Sequence, residues 1–207
     1  MGLAFILYFI LIKAAKEDKH YVLLYFGLAI FSRFILVHAP PLLSDDYYRF
    51  IWDGLLWHNG INPLLDTPRQ LIEQGVIGGD QFDLWFLLMN SKDYHTIYPP
   101  LHQLVFYIST GTPYSIQAGI IMNMLIFLSE IWAIVLLIRL LNHFNKPTYW
   151  ALIYALNPLI IIELTGNLHF ESFMISFLLA SFLALAKKRF ALSGALMASL
   201  LQLNCCH

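Results

Sequence analysis

Long apolar runs alternate with short polar hinges along most of the chain, and one long stretch in the first half breaks the rule. Residues 20–38, 114–141, 148–164 and 168–186 each approach or exceed the roughly 20 apolar residues a helix needs to cross a bilayer. The flanking runs, 2–12 and 190–204, are shorter. At 1.5 Å per residue they reach about 17 and about 22 Å, against a hydrocarbon core of about 30 Å. The opening run lacks a basic leader and a small-residue cleavage site, which argues against a signal peptide. The pattern predicts an all-α integral membrane protein: one membrane domain, a multi-span helical bundle over residues 1–207 with a long first loop over 39–113. The final run stops inside "LQLNCCH", so the chain is read as a fragment missing at least its C-terminal half.

Composition agrees with the pattern. Hydrophobic residues make up 59% of the 207, charged residues 12%, and mean hydropathy is +0.66. Soluble domains are roughly 45–50% apolar. A net charge of -1 with no basic patch leaves nothing to collect phosphates along a nucleic acid, so no nucleic-acid partner is expected. Cys205 and Cys206 are adjacent at the C-terminus, a spacing that makes neither a disulfide framework nor a metal site.

Basic residues orient the spans. Lys13, Lys16 and Lys19, then Arg139 and Lys146, then Lys187, Lys188 and Arg189 all fall on one side if each intervening segment crosses once. That side should be the cytoplasm. Residues 39–113 and the turn "TGNLHFE" (165–171) then lie together on the extracytoplasmic face. The loop carries eight acids (Asp45, Asp46, Asp53, Asp66, Glu73, Asp80, Asp83, Asp93) against Arg49, Arg69 and Lys92.

That loop is too long for an idle connection and too apolar for a disordered one. Trp52, Trp57, Phe82, Trp85 and Phe86, with turn signals at 58–63, 75–80 and 98–100, predict short amphipathic helices lying at the membrane surface. Ser44 is the expected N-cap of a helix from Asp45 to about Trp57, with both aspartates in its first turn. Asp46, Arg49 and Asp53 share one face of it at i, i+3 and i+7. Pro99 and Pro100 impose an extended approach to a new apolar helix and leave Tyr98 at its mouth.

Each feature has a plain structural explanation when taken singly: dipole partners, a solvated Asp45 to Arg49 pair, a proline opening a helix, an interfacial histidine. Their convergence on one face argues for a site. Asn167, His169 and Glu171 stand two apart in the turn between two spans, and Asn157 and Glu163 lie in the preceding apolar run. An ionisable group at membrane depth costs about 2.5–3.5 kcal/mol and is a functional candidate by default. The span starting near His169 also points its unpaired N–H groups outward, where phosphate is favoured. Arg33, near the outer end of its span, has two readings: snorkelling or holding a phosphate.

"SDDYYRFIWDGLLWHNGINP", then "YPPL", then "NPLIIIELTGNLHFE" resemble the N-terminal half of bacterial GT-C glycosyltransferases, the mannosyltransferase type that uses polyprenyl-phosphate sugars, from about Arg33 to Arg189. The resemblance implies a GT-C-like bundle and an inverting transfer of a hexose, mannose by family analogy, from a polyprenyl-phosphate donor to a glycan or glycolipid hydroxyl on the extracytoplasmic face of a bacterial inner membrane. It implies a general base at Asp46 or Asp45, with Asp46 favoured because Arg49 and Phe50 follow at the family's spacing. A carboxylate accepting the acceptor's proton is typically worth about 10²–10⁴-fold, while charge growing on the leaving phosphate needs cationic or N–H partners. Arg33, Arg49 and His169 are candidates for that second role, with Asp53, Asn167 and Glu171 beside them. Tyr98 and Trp52 are candidates for stacking on sugar or prenyl chain. No cofactor is expected, and no metal is required because the donor carries one phosphate, although the acids leave room for a divalent ion.

Two other classes compete. A non-catalytic scaffold or inactive truncated relative would tolerate the short length but has no need of the acidic loop. A transporter should show broken helices and internal repeats, and no repeat is visible.

Overall fold

The computed structural model describes residues 2–39, 45–111 and 115–202, and every regular element among them is helical. In chain order these are α1 (Gly2–Glu17), α2 (Val22–Leu36), α3 (Asp46–His58), α4 (Pro68–Glu73), α5 (Asp80–Leu88), α6 (Pro100–Ser109), α7 (Ser115–His143), α8 (Ala151–Ala155), α9 (Pro158–Ile160), α10 (Glu171–Ala186) and α11 (Phe190–Gln202). The chain divides into two compact units, Met1–Ala39 with Asn123–Leu201, and Pro40–Met122.

The first unit carries most of the length of the candidate membrane helices. Among the described residues, Lys19–Leu36 and Gln117–His143 are long and apolar enough to cross a bilayer, and a bent pair, Thr148–Ala155 with Pro158–Gly166, adds a third if it counts as one span. Its core joins α1, α2, α7 and α8 through Tyr8, Phe26, Ile134, Leu152 and Leu156, with Ala15, Ala29, Ala151 and Ala155 fully buried between them. Small side chains let helix backbones approach closely where lipid supplies no hydrophobic drive. Hydroxyls add ties: Ser176 donates to the Ser129 carbonyl at 2.8 Å, and Ser193 donates to the Ser181 carbonyl at 3.0 Å.

The run 148–164, expected as one continuous span, is instead bent by 51°. Pro158 has no N–H to donate, and the side chain of Asn157 accepts from the Leu159 amide at 3.0 Å, capping a new helix there. The stretch Ile161–Gly166 then widens into a π-helical turn, and Leu168 takes a left-handed φ of 59°. The next helix accordingly starts at Glu171, two residues later than expected.

The second unit is the long loop. Its helices share a core of Ile51, Trp52, Leu55, Leu56, Leu71, Phe82, Trp85, Met89 and Ala118. Gly54 permits the closest crossing: a Cβ there would stand 2.5 Å from the Phe106 carbonyl oxygen, so α3 and α6 nearly touch backbone to backbone. Thr67 and Gln70 form a capping box on α4. Gly60, Gly75 and Gly79 take positive φ in the predicted turns.

Candidate functional site

In the second unit, α3 starts at Asp46 with Asp45 as its cap residue, and the Asp45 side chain makes no capping bond. Ser44, the expected cap, lies outside the described residues. Asp45 and Asp46 are both exposed. Tyr47, next along, is half-buried with its hydroxyl against Gly119 of α7. Burial pushes the Tyr47 phenol up to about 12, so at neutral pH it is a hydrogen-bonding group and not a base.

One turn further the helix turns inward. Arg49 and Asp53 are 2% and 0% exposed, and Arg49 Nε donates to Asp53 Oδ1 at 2.7 Å. Arg49 Nη1 donates to the carbonyls of Ser91 (3.0 Å) and Tyr94 (2.9 Å). Gln103 of α6 donates to Asp53 Oδ2 at 2.9 Å and to Thr96 Oγ1 at 3.1 Å, while its own oxygen accepts from Trp57 Nε1 at 2.9 Å. Burial pushes the Asp53 carboxyl above the ordinary carboxylate range, and the Arg49 charge with bonds from Thr96, Gln103 and Arg49 pulls the other way. The network pins the 91–98 segment between α3 and α6.

These placements correct the sequence reading. Arg49 does not pair with Asp45 at the surface; it is committed to Asp53, because a guanidinium withdrawn from water needs a partner carboxylate. Neither Arg49 nor Asp53 offers surface to a donor in this arrangement. Trp52 is fully buried, its ring edge-on to Phe82 at 5.3 Å and tilted on Phe86 at 6.0 Å; it is core, not a stacking platform. Tyr98 is half-buried, edge-on to Phe50 (4.9 Å) and Phe106 (5.4 Å), which stack on each other.

In the first unit, Arg33 is likewise fully buried. It donates to Glu130 Oε2 from Nε (3.3 Å) and Nη2 (3.2 Å), and to the carbonyls of Ala29 (3.1 Å) and Ala155 (2.6 Å). Tyr154 completes the set by donating to Glu130 Oε1 at 2.7 Å. Neither snorkelling nor phosphate holding describes Arg33: it is the centre of a buried tie between α2, α7 and α8.

The turn after the bent pair does gather the expected residues. His169 Nε2 lies 3.8 Å from Glu163 and its Nδ1 3.6 Å from Glu171, and Asn167 donates to Glu163 at 3.1 Å. The histidine and both glutamate side chains are between 38% and 59% exposed. An accessible imidazole between two carboxylates, with an amide beside it, can exchange protons and bond hydroxyl groups. Glu163 was legible only as a charge in an apolar run. Gln103 was missed; its signal is a lone amide on a helix without charged residues.

A family model described as "Alpha-(1->6)-mannopyranosyltransferase, N-terminal domain" matches residues 20–203. The chain is 28% identical over 172 residues to a protein of Corynebacterium glutamicum named alpha-(1->6)-mannopyranosyltransferase A, an overlap of 79% of this chain and 32% of the relative. The chain thus spans about a third of that relative's length. No solved structure matches it.

Proposed function

The chain belongs to the alpha-(1->6)-mannopyranosyltransferase family, and on that premise we propose that it contributes to a membrane glycosyltransferase moving mannose from a polyprenyl-phosphate donor to a glycan or glycolipid hydroxyl on the extracytoplasmic face. Membership in a transferase family disfavours the transport reading, despite the broken helix at Asn157 and Pro158.

The observation that carries the reading is the contrast within α3. Asp46 is exposed in its first turn, and the turn that follows is anchored by the buried Arg49 and Asp53 pair. A base must reach its proton and hold its geometry while the bond forms. Here Asp46 is the group that accepts the acceptor's proton, and the hydroxyl oxygen attacks the anomeric carbon as the phosphate leaves, with inversion. Arg33 and Arg49 are committed to Glu130 and Asp53 and leave the phosphate-binding role, for which His169 stays a candidate. Trp52 drops out of the sugar-stacking role, and Tyr98 keeps it.

The test is mannose transfer from radiolabelled polyprenyl-phosphate mannose in membranes complemented with wild type, Asp46→Asn or Asp45→Asn. Asp46→Asn should lose about 10²-fold or more of the rate with normal membrane levels, and Asp45→Asn should keep most of it. The reverse order moves the base to Asp45, and full rates in both variants would sink the assignment.

A further inference from the structure

The break at Asn157 and Pro158 takes hydrogen bonds away from the helix, and each loss can be followed to a replacement. In an unbroken helix the carbonyls of Ile153, Tyr154 and Ala155 would accept from the backbone nitrogens of residues 157, 158 and 159. Pro158 has no N–H, the Leu159 N–H goes to the Asn157 side chain at 3.0 Å, and the Asn157 N–H turns to the Tyr154 carbonyl at 3.2 Å. The carbonyls of Ile153 and Ala155 thereby lose their helical donors. Side chains of two other helices take over: Tyr8 of α1 donates its hydroxyl to the Ile153 carbonyl at 3.1 Å, and Arg33 of α2 donates Nη1 to the Ala155 carbonyl at 2.6 Å. Within a bilayer no water replaces such donors, so a broken helix depends on its neighbours for them.

The guanidinium is fixed from its other side as well. Glu130 of α7 accepts from Arg33 Nε and Nη2, and Tyr154, inside the bent pair itself, donates to the second Glu130 oxygen at 2.7 Å. The pair is thus gripped at 153, 154 and 155 by α1, α7 and α2. Bulk does not wedge the bend on the side of α1 and α2, where an open pocket of about 220 Å³ is lined by Leu7, Tyr8, Ser32, Leu156, Pro158 and Ile161. Polar contacts hold the angle there.

The far arm shows what the angle sets. Pro158–Gly166 carries Glu163 and runs into the turn of Asn167 and His169. Straightening the 51° bend would swing the end of this arm by on the order of 10 Å. His169, 3.8 Å from Glu163 on the arm and 3.6 Å from Glu171 at the start of α10, stands just past that end.

We propose that Arg33 is a positioning residue: with Tyr8 and Glu130 it clamps the helix break, and the clamp places the turn that carries Glu163, Asn167, His169 and Glu171. Its value to catalysis rests on the proposed function, in which His169 is a candidate. The clamp itself does not, and it is measured separately.

A disulfide across the far arm reads the geometry. A Cβ on Gly166 would stand 3.7 Å from Leu36 Cδ1, an ordinary contact, so Leu36→Cys, Gly166→Cys in a Cys205→Ser, Cys206→Ser background should crosslink rapidly when reduced membranes are oxidised with copper phenanthroline. Adding Arg33→Met with Glu130→Leu removes both buried charges together, which spares the fold the stranded charge of a single change. This variant should reach normal membrane levels and still crosslink at Ser181→Cys, Ser193→Cys, whose hydroxyls lie 3.0 Å apart in the parent, but should crosslink several-fold more slowly between 36 and 166. Tyr8→Phe removes one cap without touching a charge and should slow the same reaction about two-fold or more; it decides alone if the double variant fails to accumulate. Crosslinking between 36 and 166 at the parent rate in either variant overturns the clamp. Mannose transfer in the same membranes reads the consequence. The double variant should lose rate and regain it once the disulfide has formed, because a tether replaces a brace but neither a lost phosphate ligand nor a lost fold. A loss that the disulfide does not repair overturns the positioning role, whereas absence of transfer in the parent itself counts against the proposed function and leaves the crosslinking rates to judge the clamp.

Discussion

Arg49 and Asp53 show why charge alone misleads at the level of single residues. In sequence they share a face with Asp46, and nothing in the spacing says which of the three meets water. The fold decides, by enclosing Arg49 and Asp53 with Gln103 and Thr96 while Asp46 stays exposed. Removing one partner of such a pair strands the other in a poor solvent. Arg49→Met is therefore expected to destabilise the second unit by about 3–5 kcal/mol, whereas an Arg49→Met, Asp53→Leu double variant recovers much of the loss. Urea titration in detergent, followed through the buried Trp52 and Trp85, measures both. A double variant no better than the single one would mean that the bonds from Gln103 and to the 91–94 carbonyls matter more than the charges. The Arg33 and Glu130 pair was hidden for a different reason: its members stand 97 residues apart, and no local pattern links them.

At the level of elements, what turn chemistry announces was legible and what packing decides was not. The helix at 46–58, the turns carrying Gly60, Gly75 and Gly79, and the helix opened by Pro100 all fall where glycine and proline place them. The shared core beneath them was not, since an amphipathic helix lying on a membrane and one packed on its neighbours present the same pattern. One of the ties holding these pieces together is sensitive to pH. Arg69, in the first turn of α4, pairs with Asp93, and its amide donates to the Lys92 carbonyl at 3.1 Å. The bond from Arg69 holds the Asp93 carboxyl below its ordinary range. A carboxyl with a lowered folded pKa stabilises the fold above its free value of about 3.9 and loses that contribution as pH falls through the lower, folded value. Amide exchange at Arg69 and Asp93 should accelerate as pH drops below about 4, once corrected for intrinsic rates. In Asp93→Asn the step should vanish. A step that persists in the variant would assign it to another acid.

Across the whole molecule, the bent pair raises the question of how many times the chain crosses. Two helices meeting at 51° form either a kinked span or a re-entrant loop. Charge distinguishes them. Arg139 and Lys146 precede the pair, and Lys187, Lys188 and Arg189 follow α10. If the pair crosses and α10 crosses back, both clusters reach the same side, as basic loops do at the cytoplasm. If the pair only dips and returns, α10 carries its three bases to the opposite face. The 16 residues of α10 span about 24 Å, which flanking residues and local thinning accommodate at modest cost. The first arrangement is expected, and it leaves the cluster of Glu163, Asn167, His169 and Glu171 on the extracytoplasmic face. Membrane-impermeant maleimide applied to intact cells should label a His169→Cys variant and spare Lys188→Cys in the background lacking Cys205 and Cys206. Labelling at 188 instead would make the pair re-entrant and remove His169 from the face on which the proposed transfer takes place.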